Sequence, residues 1–240
     1  MMTTWLGLVL LAIPALCLGF AYLGYPLLLM VAARGRPEVT WASPEEWPEV
    51  TLVVPVYNEE AAIARTLDAL LALDYPTDRR HILVVSDASS DATDRIVEGY
   101  ADRGVRLVRL GRRSGKTAAE NEAGRWLRGS IVVNTDATIH IPPFALKPLV
   151  AAFEDPTVGV ASGRDLSVGD VAAEANRGES GYVNYEMWVR ALETRAGTIV
   201  GASGCFYAIR RELFDEIFPE ALSRDFASPL IAREHGFRSV

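Results

Sequence analysis

Acids placed just after apolar, strand-like runs are the residues of this chain best suited to chemistry. Asp87 ends such a run in "VVSDASSDAT". A carboxylate there can accept a hydrogen bond from a base N–H or a ribose hydroxyl. Asp91, in the same stretch, reads as a helix cap. Asp136 follows another apolar run, in "VVNTDATIH". An acid among short oxygen-bearing side chains suits a hard divalent cation, Mg2+ or Mn2+, which prefers oxygen ligands and keeps water and substrate phosphates in its shell. Thr138 is the weaker candidate ligand, and His140 reads as a surface or hydrogen-bonded histidine. In "PVYNEE" Tyr57 can stack on a base, while Asn58 or Glu59 can accept from a sugar or base edge. The same three residues also read as a capped helix start with acids in its first turn.

The stretch "GRRSGKTAAENEAG", residues 111–124, has the outline of a phosphate cradle. A P-loop, GxxxxGK[ST], is one residue longer between its glycines than Gly111 to Gly115 here. Loop length sets the ring of backbone N–H donors around a phosphate. The stretch also follows the third strand-like run instead of the first. It is therefore not read as a P-loop, and Lys116 is left to neutralise a diphosphate from a different loop.

The elements that must hold these residues alternate. "VTLVVPV" (50–56), "HILVVS" (81–86), "VRLVRL" (105–110) and "SIVVNT" (130–135) read as strands, and "EEAAIARTLDALLAL", "SDATDRIVEGYADR" and "KTAAENEAGRWLR" between them as helices. That alternation implies a parallel sheet wrapped in helices, with ligands at the carboxyl ends of the strands. Further on, "PPFALKPLVAAFEDP" reads as a helix, "VGVASGR" as a strand and "CFYAIRREL" as a strand turning into a helix. The second half of 170–198 reads as helical. The final "GFRSV" looks like the start of another strand, so the natural protein is expected to continue.

Composition bounds the rest. A net charge of -7 gives no electrostatic case for nucleic acid. Cys17 and Cys205 lie in unlike settings and imply neither a disulfide framework nor a metal. Residues 5–33 carry no charge, and a bilayer span needs about 20 apolar residues. A cleaved signal peptide would want basic residues ahead of the run, where "MMTT" has none. Arg34 and Arg36 follow it directly, which by the positive-inside rule puts that end in the cytoplasm. The expected organisation is a transmembrane helix over 1–33, a juxtamembrane linker over 34–49 with Trp41 and Trp47 at the lipid interface, and a catalytic domain over 50–240.

Taken in order, "VTLVVPVYNEE", "ILVVSDASSDAT", "SGKTAAENEAG" and "IVVNTDAT" resemble the N-terminal half of glycosyltransferase family 2. The resemblance runs on through "NYEMWVRALETRAGTIVGASGCFYAIRREL" and "SRDFASPLIAREHGFRSV", and so covers 50–240. The N-terminal span is similar to that of the family's membrane-bound synthases. The resemblance implies the α/β GT-A fold, a Rossmann-like, mostly parallel sheet flanked by helices. It implies an inverting enzyme that moves a sugar from a nucleotide diphosphate donor, a UDP-sugar by expectation, to a glycan or lipid acceptor at the cytoplasmic membrane face. Pro55, Tyr57 and Glu59 would line the nucleotide pocket, Asp87 would hold the base, and Lys116 would lie near the diphosphate. Asp136 is similar to the first acid of the family's DxD motif, which makes it the metal ligand. Asp225, in "SRDF", falls where the family has the catalytic acid of its "ED" pair, and Gly201 to Gly204 would shape the pocket floor.

The chain departs from the family pattern at three places. Thr138 stands at the third DxD position, Arg224 stands where an acid usually precedes Asp225, and no QxxRW motif follows Asp225. The neutral Thr138 keeps open a non-catalytic, membrane-anchored relative that binds a nucleotide sugar or a partner subunit. A sugar nucleotidyltransferase fits less well, because "PVYNEE" replaces its Gly-rich loop.

Overall fold

The computed structural model of the chain describes residues 2–164 and 176–240. These fall into two compact units: the described residues of 1–39 and 166–198, and those of 40–165 and 199–240.

In the first unit, α1 (Met2–Gly19) passes through one π-helical turn, Phe20–Gly24, into α2 (Tyr25–Ala32). The 23 residues Leu10–Ala32 are long and apolar enough to cross a membrane, with a mean hydropathy of 1.9. The π-helical turn has a local cause. Pro26 has no N–H to give the carbonyl four residues back, that of Tyr22. That carbonyl accepts instead from the Tyr185 hydroxyl at 2.9 Å. Tyr185 belongs to α7 (Asn176–Ala196), the helix expected in the second half of 170–198. Leu192 of α7 packs with Leu29 and Ala33, and Glu193 accepts from the Tyr25 hydroxyl. Arg195 and Arg36 donate to carbonyls at the ends of the two helices, the favourable place for cations.

The second unit is built on a seven-stranded sheet of order β3-β2-β1-β4-β6-β5-β7. Its strands are β1 (Val50–Val56), β2 (Arg80–Ser86), β3 (Val105–Arg109), β4 (Ile131–Thr135), β5 (Val158–Ser162), β6 (Phe206–Arg210) and β7 (Arg238–Ser239). Among the described residues only the β4–β6 and β5–β6 pairings are antiparallel. The expected bounds of β1 hold, and β2, β3 and β4 shift by one residue at most.

Nearly continuous apolar strands are what a sheet covered on both faces requires. Along β1, Val50, Leu52, Val54 and Val56 face one layer, with Ile63, Leu67 and Leu70 of α3 (Ile63–Leu71), Val97 of α4 (Thr93–Glu98) and Leu146 of α6 (Leu146–Ala151). Val53 faces the other layer, with Ala119 and Ala123 of α5 (Lys116–Ala123), Phe214 of α8 (Arg211–Phe214) and Ala232 of α9 (Arg224–Glu234). The period of two along the strand thus sorts the helices into two layers.

The tryptophans expected at a lipid interface pack on this unit. Trp47 meets Tyr75 edge-on at 5.6 Å, and Trp41 lies under the Arg238 guanidinium at 5.5 Å. Their apolar rings are half-buried against the sheet's own core, which competes with lipid for the same surface.

Candidate active site

The strand order reverses at β1, which has β2 on one side and β4 on the other. In an open α/β sheet this is where ligands bind. The loops after β1 and β2 are laced together at the site. Asn58, in the left-handed region at φ 55°, accepts from the Ser90 N–H at 2.8 Å through its side chain. The Glu60 N–H donates to Asp91, and Glu60 accepts from the Ala92 N–H. Asp91 also accepts from the Thr93 N–H at 3.0 Å, beside the start of α4, whose N-cap is Ala92 and not the Asp91 that the sequence suggested. Asn58 is not the cap of α3. The lacing uses up 58–60, so the helix begins only at Ile63.

Pro55, Tyr57, Glu59, Asp87, Lys116, Asp136 and Thr138 line one cleft of about 340 Å³. His140 is not among its lining residues. Asp87 is buried, and its two carboxylate oxygens accept from the Ser114 N–H at 2.6 Å and the Gly115 N–H at 2.8 Å. Gly115 holds φ 97°, a backbone that glycine adopts without strain. The N–H donors that would ring a phosphate in a P-loop are thus turned to a protein carboxylate, which removes the P-loop reading on geometry. What this loop presents is Lys116, the first residue of α5.

The Lys116 ammonium donates to Asp136 Oδ1 at 2.7 Å and to the Gly204 carbonyl at 3.2 Å. Burial lowers its pKa, but the hydrogen bond and charge of Asp136 outweigh that, so it lies above the ordinary lysine value. Asp136 is held in turn by its own N–H, which donates to the Cys205 carbonyl across the β4–β6 pairing. Asp136 and Thr138 both line the cleft. Among the described residues no group of three or more His, Cys, Asp or Glu could hold a metal. A lone carboxylate at the edge of a cleft fits a Mg2+ or Mn2+ ion whose other ligands are substrate phosphate and water.

Asp225 does not line this cleft. It lines a neighbouring cavity of about 290 Å³ with Lys116, Glu120, Tyr207, Arg224 and residues 220–223, so the two hollows meet at Lys116. Asp225 lies in the first turn of α9, where the Ser223 hydroxyl donates to it. Its own carbonyl accepts from the Ala202 N–H, tying 201–204 to the helix start. A Cβ on Gly204 would stand 2.8 Å from Asp225 Oδ2. The clash is with the movable end of a side chain, so Gly204→Ala should fold normally while pushing the Asp225 carboxylate aside. If Asp225 acts on the substrate, the unfolding midpoint should stay unchanged while activity falls about 10- to 100-fold, as small misplacements of reacting groups cost this much. Unaltered activity would show that the position of Asp225 is immaterial.

Three residues at the site have contacts that the sequence reading did not anticipate. Arg113 places its guanidinium 3.9 Å from the centre of the Tyr57 ring, on the surface expected to stack on a base. Arg224, which departs from the family's acid, is buried between Phe214 and Phe218. It donates to Asn121 Oδ1 at 2.7 Å and to the carbonyls of Phe214 and Glu216. It pins the start of α9 and thereby Asp225.

The third is Glu120, 1% exposed, one turn below Lys116 on the same face of α5. Burial pushes its carboxyl up to about 7. Lys116 and Arg224 pull it down, and Asp225 and Asp136 push it further up. A carboxyl raised by folding stabilises the fold below its unfolded value and loses that contribution as pH rises through the folded value. Between pH 5 and 8 the wild-type chain should therefore lose about 2 kcal/mol that Glu120→Gln does not lose. Denaturant titrations of both proteins across that range check this; parallel curves would contradict it.

A mostly parallel sheet with its cleft at the β1/β4 switch point, and an antiparallel β6 closing it, is a GT-A-type fold. The chain belongs to glycosyl transferase family 2, whose model matches residues 51–218, a range that takes in every cleft residue named above and stops short of Asp225. It is 29% identical over 180 residues to a beta-monoglucosyldiacylglycerol synthase of Synechocystis sp., covering 73% of this chain and 38% of that one. It is 27% identical over 203 residues to an undecaprenyl-phosphate 4-deoxy-4-formamido-L-arabinose transferase of Proteus mirabilis, covering 82% of this chain and 59% of that one. Among solved structures, the mannosyltransferase PcManGT of Pyrobaculum calidifontis, in complex with GDP-Man and Mn2+, superposes with a TM-score of 0.79 at 31% identity, over 94% of this chain and 64% of that one. The chain thus spans less than two thirds of each of these relatives.

Proposed function

We propose that this protein is an inverting glycosyltransferase that moves a hexose from a nucleoside diphosphate sugar to a lipid or glycan acceptor at a membrane surface. The observation that carries the reading is Lys116, fixed by Asp136 and Gly204 where the two cavities meet. The nucleotide takes the cleft of Tyr57, Asp87 and Asp136, the diphosphate lies against Lys116, and Asp225 waits on the far side. Asp225 accepts the proton of an acceptor hydroxyl as that oxygen bonds to the anomeric carbon and the bond to the diphosphate breaks. One displacement inverts the anomeric configuration. Lys116 offsets the charge that gathers on the departing diphosphate. Asp136, with Thr138 beside it, would hold Mg2+ or Mn2+, which when bound supplies further charge at the same phosphates.

The relatives are named for GDP-mannose and Mn2+ in one case and for diacylglycerol and undecaprenyl-phosphate products in others, which supports a nucleotide-sugar donor and a lipid acceptor. The apolar Leu10–Ala32 helix supports membrane attachment, and Arg34 and Arg36 support a cytoplasmic site. The test is a donor screen on the detergent-extracted chain, with and without manganese, reading released nucleoside diphosphate. We expect turnover of a UDP-sugar, with GDP-sugars as the second arm. Donor binding without turnover over a panel of acceptors would point to a non-catalytic relative instead.

A further inference from the structure

We propose that Glu120 hydrogen-bonds the hydroxyls of the transferred sugar and sets which sugar the protein accepts. The inference rests on the glycosyltransferase reading and goes beyond it by assigning the second cavity and its selecting residue. Glu120 is buried, yet it lines the 290 Å³ cavity that begins at Lys116. Among the described residues none forms an ion pair or hydrogen bond with its carboxyl. A carboxyl withdrawn from water without a partner is costly unless something else occupies it.

The charges around it select the class of ligand. Lys116 and Arg224 stand against a cation, and Glu220 and Asp225 stand against an anion. What remains is a neutral molecule rich in hydroxyls. The position selects which one. Glu120 follows Lys116 by one helical turn, about 5.4 Å of rise, on the same face. A ligand with its diphosphate at Lys116 therefore brings the ring attached to that diphosphate over Glu120. Asp225 lines the same cavity, within reach of the anomeric side of that ring.

The experiment uses the full chain and a panel of donors with one base and different sugars: glucose, galactose, mannose and N-acetylglucosamine. Wild type, Glu120→Gln and Glu120→Asp are compared by kcat/KM on each donor and by Kd for the nucleoside diphosphate alone. We expect the diphosphate Kd to stay within about 2-fold. For the preferred sugar kcat/KM should fall about 10- to 100-fold, the range for a hydrogen bond to a charged group, and the ranking of the sugars should change. A loss that is equal across the panel and shared by the bare diphosphate would overturn the assignment and make Glu120 structural. A change confined to the acceptor KM would overturn it in favour of an acceptor site. A wild-type chain that binds no nucleotide sugar would sink the parent reading as well, whereas an active wild type with an unchanged ranking in Glu120→Gln sinks this one alone.

Discussion

Replacing Asp225 with asparagine is expected to lower kcat for sugar transfer by about 10²- to 10⁴-fold, the usual worth of a general base. Donor affinity should stay as it is. Asparagine keeps the shape of the side chain in the first turn of α9 and removes only its basicity, so the Arg224 pin and the bare Gly204 opposite are undisturbed. The nucleotide cleft does not include this residue, which is why binding and turnover should separate. Single-turnover transfer and a donor titration on the same preparation read both. Transfer within a few-fold of wild type would remove Asp225 from the chemistry, and a parallel loss of donor binding would give it a structural part instead.

Replacing Lys116 with methionine should be the next most damaging change. The ammonium is 2.7 Å from Asp136 and faces both hollows. Without it the carboxylate meets the diphosphate uncompensated, and the leaving group loses its cation. We expect kcat/KM to fall about 10²- to 10³-fold, as for the loss of one preorganised donor. The Kd of the nucleoside diphosphate should weaken while that of the phosphate-free nucleoside does not. Arginine is a poor substitute, because its planar fork cannot occupy the place of a compact ammonium. Equal affinities of wild type and variant for the diphosphate would remove Lys116 from the diphosphate site.

The parts of the fold that sequence made legible are those set by local pattern. Strands β1 to β4 are apolar runs with clear breaks, and the acids after them fall at the strand tips because a chain leaving a strand must turn there. Tyr57, Asp87 and Asp136 follow from that rule, and the structure sets all three on one cleft. What stayed hidden depends on distant partners. Glu120 sits in "KTAAENEAG" like any helix acid, and only α9 and Tyr207 bury it. Arg224 looked like a defect in a motif, since nothing near it in sequence announces Asn121 as its acceptor. Asp87 was expected to hold a base, and its service to the 111–115 loop needs two backbone N–H groups that lie 27 and 28 residues away. The helix after β1 started late because hydrogen bonds from a second loop outcompeted capping by Asn58.

The π-helical turn at Phe20–Gly24 bears on how deep the proposed anchor goes. From Tyr22 onward α2 is accompanied by α7, which carries Glu186, Arg190 and Glu193 along the shared length. Charged side chains of this kind are expelled from acyl chains. Leu23 in the π-helical turn and Leu27 and Leu28 on α2 remain exposed. Exposed leucines on α2 beside the Glu186–Arg190 ion pair of α7 suit headgroup level, with Glu193 buried against Tyr25 between the helices. On the proposed membrane attachment, α1, about 27 Å long at 1.5 Å per residue, would cross the hydrocarbon by itself, close to the thickness of a bilayer core. The immersed helix would then be α1 with its 18 residues and not the 23-residue stretch Leu10–Ala32, and spin labels at Leu16 and Leu28 should report an oily and a wet environment respectively.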